Sequence, residues 1–169
     1  MGDKVFFEWS DAMSVGIAAI DEQHKMLVDI LNRLFLAVVQ RESNEITIEI
    51  LDTLVDYTKT HFGLEEKLLQ DAGYNPTEFA AHQKEHQAFV GKISEAASKH
   101  FVEGKSVSFE IINFLKHWLQ DHILVTDKKY ATALQDAGYS TKAWTDFASS
   151  TITAKQAETP KRKQWWKVW

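Results

Sequence analysis

Four segments of the chain carry histidine and carboxylate side chains at spacings close to one turn of an α-helix. Residues four positions apart lie on the same face of a helix, so the segments with that spacing offer their donors from one side. The seven residues are His24, the pair His61 and Glu65, the pair His82 and His86, and the pair His122 and Asp127. Polar groups buried in a core without partners are costly. A metal centre is the interpretation that gives all seven a partner.

The donor types narrow the choice of metal. The chain contains no cysteine, which excludes thiolate sites and iron–sulfur clusters. Imidazole combined with carboxylate suits iron, zinc, copper or manganese. If Glu65 and Asp127 each bridge two ions, and a hydroxide also bridges them, the five imidazoles fill all but one position around two octahedral ions. The pattern therefore predicts a two-metal centre with one vacant position.

Amphipathic helices are expected to position these residues. Apolar side chains recur at intervals of three and four residues, the period of a helix with one buried face. Helices are predicted at about 21–40, 44–70, 76–101 and 106–135. Ser43 or Asn44 is the expected cap of the second helix, and Asn75 followed by Pro76 is a typical start for the third.

The predicted fold class is all-α, an antiparallel up-down-up-down four-helix bundle with an N-terminal arm and a C-terminal extension. Four helices of similar length with short connections favour that topology. The donors lie early in the first and third helices and later in the second and fourth, so they meet at one level in an antiparallel bundle. We expect the bundle to occupy residues 1–136 and the extension residues 137–169.

The spacing on the fourth helix does not suit a regular α-helix. His122 and Asp127 are five residues apart, which corresponds to about 140° around the helix axis. Both side chains reach one site if the helix widens locally into a π-helical turn, a feature that occurs at functional sites. We therefore predict a π-bulge between them.

Composition sets broad limits on the class of protein. The chain has 169 residues and a net charge of −5, which argues against a general nucleic-acid binder. Charged residues near Met1 replace the apolar stretch of a signal peptide, and no apolar run is long enough to cross a bilayer. We expect a cytoplasmic, monomeric protein.

The four donor segments together resemble the hemerythrin family, and within it the single-domain bacterial hemerythrins. The matching strings are VGIAAIDEQH at 15–24, HFGLEE at 61–66, HQKEH at 82–86 and HILVTDKKY at 122–130. Each string alone is weak, whereas four in order at helical spacing are specific. The resemblance covers roughly residues 5–135.

The resemblance implies reversible dioxygen binding at two non-haem iron ions per chain, joined by an oxo or hydroxo bridge. It implies that His82, His86 and His122 hold one iron, and that His24 and His61 hold the iron with the vacant position. It further implies that the two carboxylates bridge the irons. No residue is expected to act as a catalyst.

Residues close to these ligands are expected to line an apolar oxygen pocket that excludes water and proton donors. They are Leu27, Phe62, Trp118, Leu119 and Ile123. The two remaining histidines, His100 and His117, fit no ligand position and are predicted to lie at the surface. Acceptors for the second ring nitrogens of the ligands are expected among Glu22, Gln23, Asp56, Glu66, Glu85 and Asp121.

Two other functions fit the same motifs. A di-iron oxidase or ferroxidase is disfavoured because such bundles typically carry two Glu-x-x-His motifs, which this sequence lacks. An oxygen sensor would have to act through a partner, because we expect no room for an output domain in this chain.

The C-terminal segment differs in composition from the rest of the chain. A short helix is predicted over residues 140–149, and residues 155–169 carry five basic residues against one acid. The end of the chain mixes cations with tryptophans: Lys161, Arg162, Lys163, Trp165, Trp166, Lys167 and Trp169. This mixture is typical of a weak membrane-surface anchor or a docking segment for an oxygen-consuming membrane enzyme, although an unattached terminus is an equal alternative.

Overall fold

The computed structural model of the protein describes residues 5–136, and within that range every regular element is a helix. The elements are a 3₁₀ turn at Asp11–Met13, α1 at Ala18–Val39, α2 at Asn44–Asp71, α3 at Pro76–Glu103, α4 at Phe109–Asp121, a π-helix at His122–Asp127 and α5 at Lys128–Asp136. The last three follow one another without a break and form the fourth rod of the bundle. The predicted all-α four-helix bundle is confirmed.

The helix ends follow from local sequence chemistry. The Ser43 side chain accepts a hydrogen bond from the Ile46 amide at the start of α2. The Asn75 side chain accepts two amide hydrogen bonds at the start of α3, where Pro76 occupies the first turn. Gly73, with a φ of 67°, follows the end of α2 in the left-handed conformation. The two predicted caps are therefore confirmed.

The interior of the bundle is one continuous apolar core, which extends along the rods from the level of the predicted donors. Leucine, isoleucine and phenylalanine side chains from all four rods are completely buried, among them Leu31, Leu34, Leu51, Leu54, Phe89, Ile93, Ile112 and Leu115. Large-to-small changes in such a core typically cost ~2–5 kcal/mol. The core therefore holds the rods rigidly enough to fix the positions of side chains that project between them.

The N-terminal arm packs along the bundle before α1 begins. The backbone of Phe7 donates to and accepts from the Asn32 side chain at 2.8 Å in each direction. The Lys116 ammonium donates to the Phe6 carbonyl at 2.6 Å. Asp21, in the first turn of α1, accepts from the Ser14 hydroxyl and the Val15 amide. These bonds attach the arm to two rods at the side that carries His24.

His100 is buried, so its predicted surface position is wrong. Only 5% of the residue is exposed, and its Nδ1 lies 2.6 Å from the Lys105 carbonyl oxygen. Gly104 turns the chain at the end of α3 with a φ of 62°, and the loop that follows passes over the histidine. The sequence pattern at the end of α3 does not indicate that the following loop folds back over His100. His117 is exposed, as predicted.

Two further sequence predictions concern the C-terminal segment and the absence of a membrane-spanning helix. The predicted C-terminal helix and the basic, tryptophan-rich segment lie outside the described residues. Among residues 5–136, no helix combines the length and apolar character needed to cross a membrane.

Candidate metal centre

The seven predicted donor side chains meet inside the bundle at one level. Each comes from the rod to which the sequence assigned it, and none is more than 3% exposed. Their donor atoms form two groups that share Glu65, with all atoms of a group within 4.8 Å of one another. One group adds His24 and His61 to the shared carboxylate. The other adds His82, His86, His122 and Asp127.

Glu65 lies between the two groups of histidines. Its Oε1 is 3.7 Å from His24 Nε2, and its Oε2 is 3.4 Å from His86 Nε2 and 3.8 Å from His61 Nε2. The carboxylate is completely buried. A carboxylate whose two oxygens face donors from both groups has the arrangement needed to bridge two ions.

Asp127 has the same relation to the two groups from the opposite rod. Its Oδ2 is 3.2 Å from His24 Nε2. Its Oδ1 is 3.1 Å from His122 Nε2 and 3.4 Å from His82 Nε2. The two carboxylates therefore each face both groups of histidines, as the bridging hypothesis requires.

The donor atoms fit a metal better than they fit one another. The Nε2 atoms of His82 and His86 are 2.8 Å apart, and those of His86 and His122 are 3.0 Å apart. Several other buried atoms of the cluster have no hydrogen-bond partner: both ring nitrogens of His24, His61 Nε2, Glu65 Oε2, and both oxygens of Asp127. Buried polar groups of folded proteins are nearly always paired. Cations among these nitrogens and oxygens would give nearly all of them a partner.

The fourth rod is π-helical over the stretch that carries its two donors. The π-helix covers His122–Asp127 and leads directly into α5. The wider turn brings residues five apart onto one face, so His122 and Asp127 both point inward and both are buried. The predicted π-bulge is confirmed.

Three of the donor histidines are oriented by hydrogen bonds from their outer ring nitrogens. Nδ1 of His61 donates to the Gln23 side-chain oxygen at 2.7 Å. Nδ1 of His86 donates to Glu66 at 2.9 Å. These bonds leave the Nε2 atoms directed into the cluster, and such partners fix both the tautomer and the ring orientation of a metal ligand.

His122 is held in the same way, by Glu85. Its Nδ1 is 2.7 Å from Glu85 Oε2, which also accepts from the Thr126 hydroxyl at 2.9 Å. The sequence had placed Glu85 among six candidate acceptors, together with Gln23 and Glu66. Glu22, another of the six, instead forms a surface pair with Lys25 at 2.7 Å.

Tyr130 contacts the cluster, although the sequence pattern assigns it no role. Its hydroxyl donates to Glu65 Oε1 at 2.6 Å, and the whole residue is buried. It ends the string HILVTDKKY and follows Asp127 by three residues, which places it on the same face of the rod. The hydrogen bond fixes the orientation of the carboxylate that both donor groups share.

Replacing Tyr130 by phenylalanine should lower the free energy of unfolding by ~1.5–3 kcal/mol, the usual range for a buried hydrogen bond to a charged group. Urea denaturation of the purified variant measures this. Tyr74→Phe is the matched control, because Tyr74 is only partly buried and its neighbour Glu78 is solvent-accessible, so loss of the hydroxyl should change stability far less. Equal effects of the two variants would contradict an anchoring role for Tyr130.

The electrostatics of the cluster keep its carboxylates ionised. Burial lowers the pKa of His24, but the nearby carboxylates of Asp127 and Glu65 outweigh burial and raise that pKa from 6.5 to about 9. Burial lowers the pKa of His61 to about 3. Burial would raise the pKa of Glu65, yet the surrounding histidines hold it well below its usual value. The carboxylates are therefore anionic and His61 is neutral, the forms that bind cations, whereas His24 carries a proton at neutral pH that a bound cation would displace.

Two of the residues expected to line an oxygen pocket are aromatic and stack on histidines of the cluster. The ring of Phe62 stacks on His86 with centroids 3.6 Å apart, and Trp118 stacks on His122 at 4.4 Å. Both aromatics therefore cover the group with three histidines. The expected aliphatic lining residues, Leu27, Leu119 and Ile123, are all at most 1% exposed. Their role in a pocket stays a prediction.

Comparison with known proteins agrees with this geometry. Residues 15–134 match the hemerythrin HHE cation binding domain. The chain belongs to the hemerythrin family. It is 39% identical over 127 residues to a bacteriohemerythrin of Pseudomonas aeruginosa, an alignment that covers 75% of this chain and 80% of the relative. It is 36% identical over 123 residues to a bacteriohemerythrin of Stenotrophomonas maltophilia, with 73% and 78% covered.

A solved structure of a wild-type hemerythrin shares the architecture. The two chains superpose with a TM-score of 0.70 at 31% sequence identity, over 76% of this chain and 98% of that hemerythrin. The resemblance inferred from the four motifs is therefore confirmed, and the hemerythrin bundle is the framework on which the cluster is built.

Proposed function

We propose that this hemerythrin binds dioxygen reversibly at a pair of iron ions held by the seven donors. The observation that carries the proposal is the donor set itself. Five imidazole nitrogens and the four oxygens of Glu65 and Asp127 converge on two adjacent positions. With a hydroxo bridge, they leave one position free around two octahedral ions. That position is available to an outside ligand on the side of His24 and His61.

The protein's own residues favour binding over further chemistry. A pair of ferrous ions supplies, when bound, the two electrons that dioxygen takes up and returns on release. The five neutral imidazoles and only two carboxylates supply little negative charge, which disfavours the higher oxidation states used by oxidases. Leu27, Leu119 and Ile123 exclude water from the neighbourhood of the ligands. A dry site limits the supply of outside protons and therefore limits irreversible oxidation.

The two groups of histidines differ in their hydrogen-bond partners. His86 and His122 donate to the carboxylates of Glu66 and Glu85, whereas His61 donates to a neutral amide. An imidazole bonded to a carboxylate is a more basic ligand. This asymmetry supports the assignment of a saturated position to the group with three histidines and of the exchangeable position to the group with two.

Metal analysis combined with absorption spectra, recorded through cycles of oxygen and inert gas, tests the proposal. We expect two irons per chain and a ligand-to-metal band that appears with oxygen and disappears without it. Zinc in place of iron, or a band that never reverts, would contradict reversible binding. Steady consumption of oxygen with a reductant present would instead identify an oxidase.

A carrier and a sensor differ in how the affinity responds to other molecules. We favour a carrier or store, because the described residues that surround the cluster belong to one continuous apolar core. A sensor would change its oxygen affinity when a signalling partner is added, and a carrier would not. The cytoplasmic location, the monomeric state and the membrane role of the C-terminal segment stay predictions.

A further inference from the structure

Thr58 on α2 is completely buried, and its hydroxyl has no hydrogen-bond partner. Three other helical threonines behave differently. The hydroxyls of Thr47, Thr53 and Thr132 each donate to the carbonyl four residues earlier, at 2.8–3.2 Å. That local bond is the usual way in which a threonine satisfies its hydroxyl in a helix. The Thr58 hydroxyl does not make this bond and is free for another partner.

The position of Thr58 connects it with the two-histidine side of the cluster. It precedes His61 by three residues, which places the two side chains on one face of α2, one turn apart. The Gln23–His61 hydrogen bond sets the level at which α1 and α2 face each other. Because the two helices run in opposite directions, one turn from that level along each brings Leu27 and Thr58 to the same height.

The positions that helix register places next to Thr58 carry apolar residues. Leu54, one turn before it on α2, is completely buried, and so is Leu27 on the facing helix. A hydroxyl buried without a partner is unfavourable, and valine would have nearly the same shape without that cost. The presence of the Thr58 hydroxyl among these apolar residues is therefore explained if it bonds a small molecule that binds at the cluster.

We propose that Thr58 is the hydrogen-bonding group of the ligand pocket and bonds the small molecule that occupies the free position beside His61. The inference rests on the proposed function. The ligand class is dioxygen or a small anion of similar size, such as azide. An alcohol of this kind keeps its proton at neutral pH, so it holds a polar ligand without protonating it. Thr58 thereby contributes to affinity and selectivity while leaving binding reversible.

Azide titration of the iron-loaded diferric protein, followed by absorption, tests this role in Thr58→Val and Thr58→Ser. We expect Thr58→Val to weaken azide binding about five-fold, the factor that one neutral hydrogen bond contributes. Thr58→Ser keeps the hydroxyl and should stay within about two-fold of the unmodified protein. Thr47→Val is the matched control, because Thr47 is buried three turns earlier on the same face of α2 and its hydroxyl bonds the backbone.

The stability of the metal-free protein provides a second readout that needs no ligand. Removal of an unpaired buried hydroxyl should raise the urea midpoint in Thr58→Val, whereas Thr47→Val should lower it. Equal azide affinity in Thr58→Val and the unmodified protein would overturn the proposal, even if the variant is more stable. The Thr58 hydroxyl would then bond at most a water molecule and not the ligand. Absence of azide binding in the unmodified protein would instead count against the two-iron site.

Discussion

Exchange of Glu65 for glutamine is expected to abolish the two-metal centre while leaving the bundle folded. The glutamine has the same shape, but its amide nitrogen has no lone pair to offer a cation. Glu65 supplies oxygens to both groups of histidines, so the change removes a bridge rather than a single bond. We expect bound iron to fall from two per chain to one or none, with loss of the oxygen-dependent band. Metal analysis and circular dichroism measure the two effects.

The adjacent carboxylate provides a matched control. Glu66 is next in sequence, lies on the same helix and bonds His86 from outside the cluster. Glutamine at position 66 can still accept that hydrogen bond through its amide oxygen, so Glu66→Gln should keep both irons. Loss of such an outer partner typically lowers metal affinity by about 10–100-fold. Two irons and an unchanged spectrum in Glu65→Gln would contradict the bridging role.

The donor cluster could be predicted from sequence because helices convert spacing into direction. Positions four apart share a face whatever the rest of the molecule does, so His82 and His86 had to point together. The irregular spacing of His122 and Asp127 was informative for the same reason. It conflicted with an α-helix, and the structure resolves the conflict with a π-helix.

Features that depend on contacts distant in sequence could not be predicted in this way. Tyr130 bonds a residue 65 positions earlier, and Lys116 bonds the arm across 110 positions. His100 is covered by a loop whose path depends on the packing of two helices. The hydrogen-bond acceptors of the outer histidine nitrogens are an intermediate case, because the sequence offers six candidates and only the bundle geometry selects among them.

Iron loading is expected to stabilise the folded protein by several kcal/mol. Without metal, the carboxylates of Glu65 and Asp127 are both completely buried; burial and the charge of Glu65 act to raise the pKa of Asp127, although the neighbouring histidines hold that pKa below its usual value. Several donor atoms also lack any partner. Cations correct both defects, and they bind the unfolded chain weakly because it does not hold the seven donors together.

Urea unfolding under inert gas, with and without ferrous iron, measures this linkage. A ligand that binds only the folded state adds about 4 kcal/mol when its free concentration is a thousand times its dissociation constant. Glu65→Gln should lose most of that increment, whereas Glu66→Gln should keep a large part of it. An equal urea midpoint for the loaded and metal-free protein would mean that the cluster binds no iron in its folded form. The iron-dependent gain in the free energy of unfolding therefore tests the site independently of any reaction with oxygen.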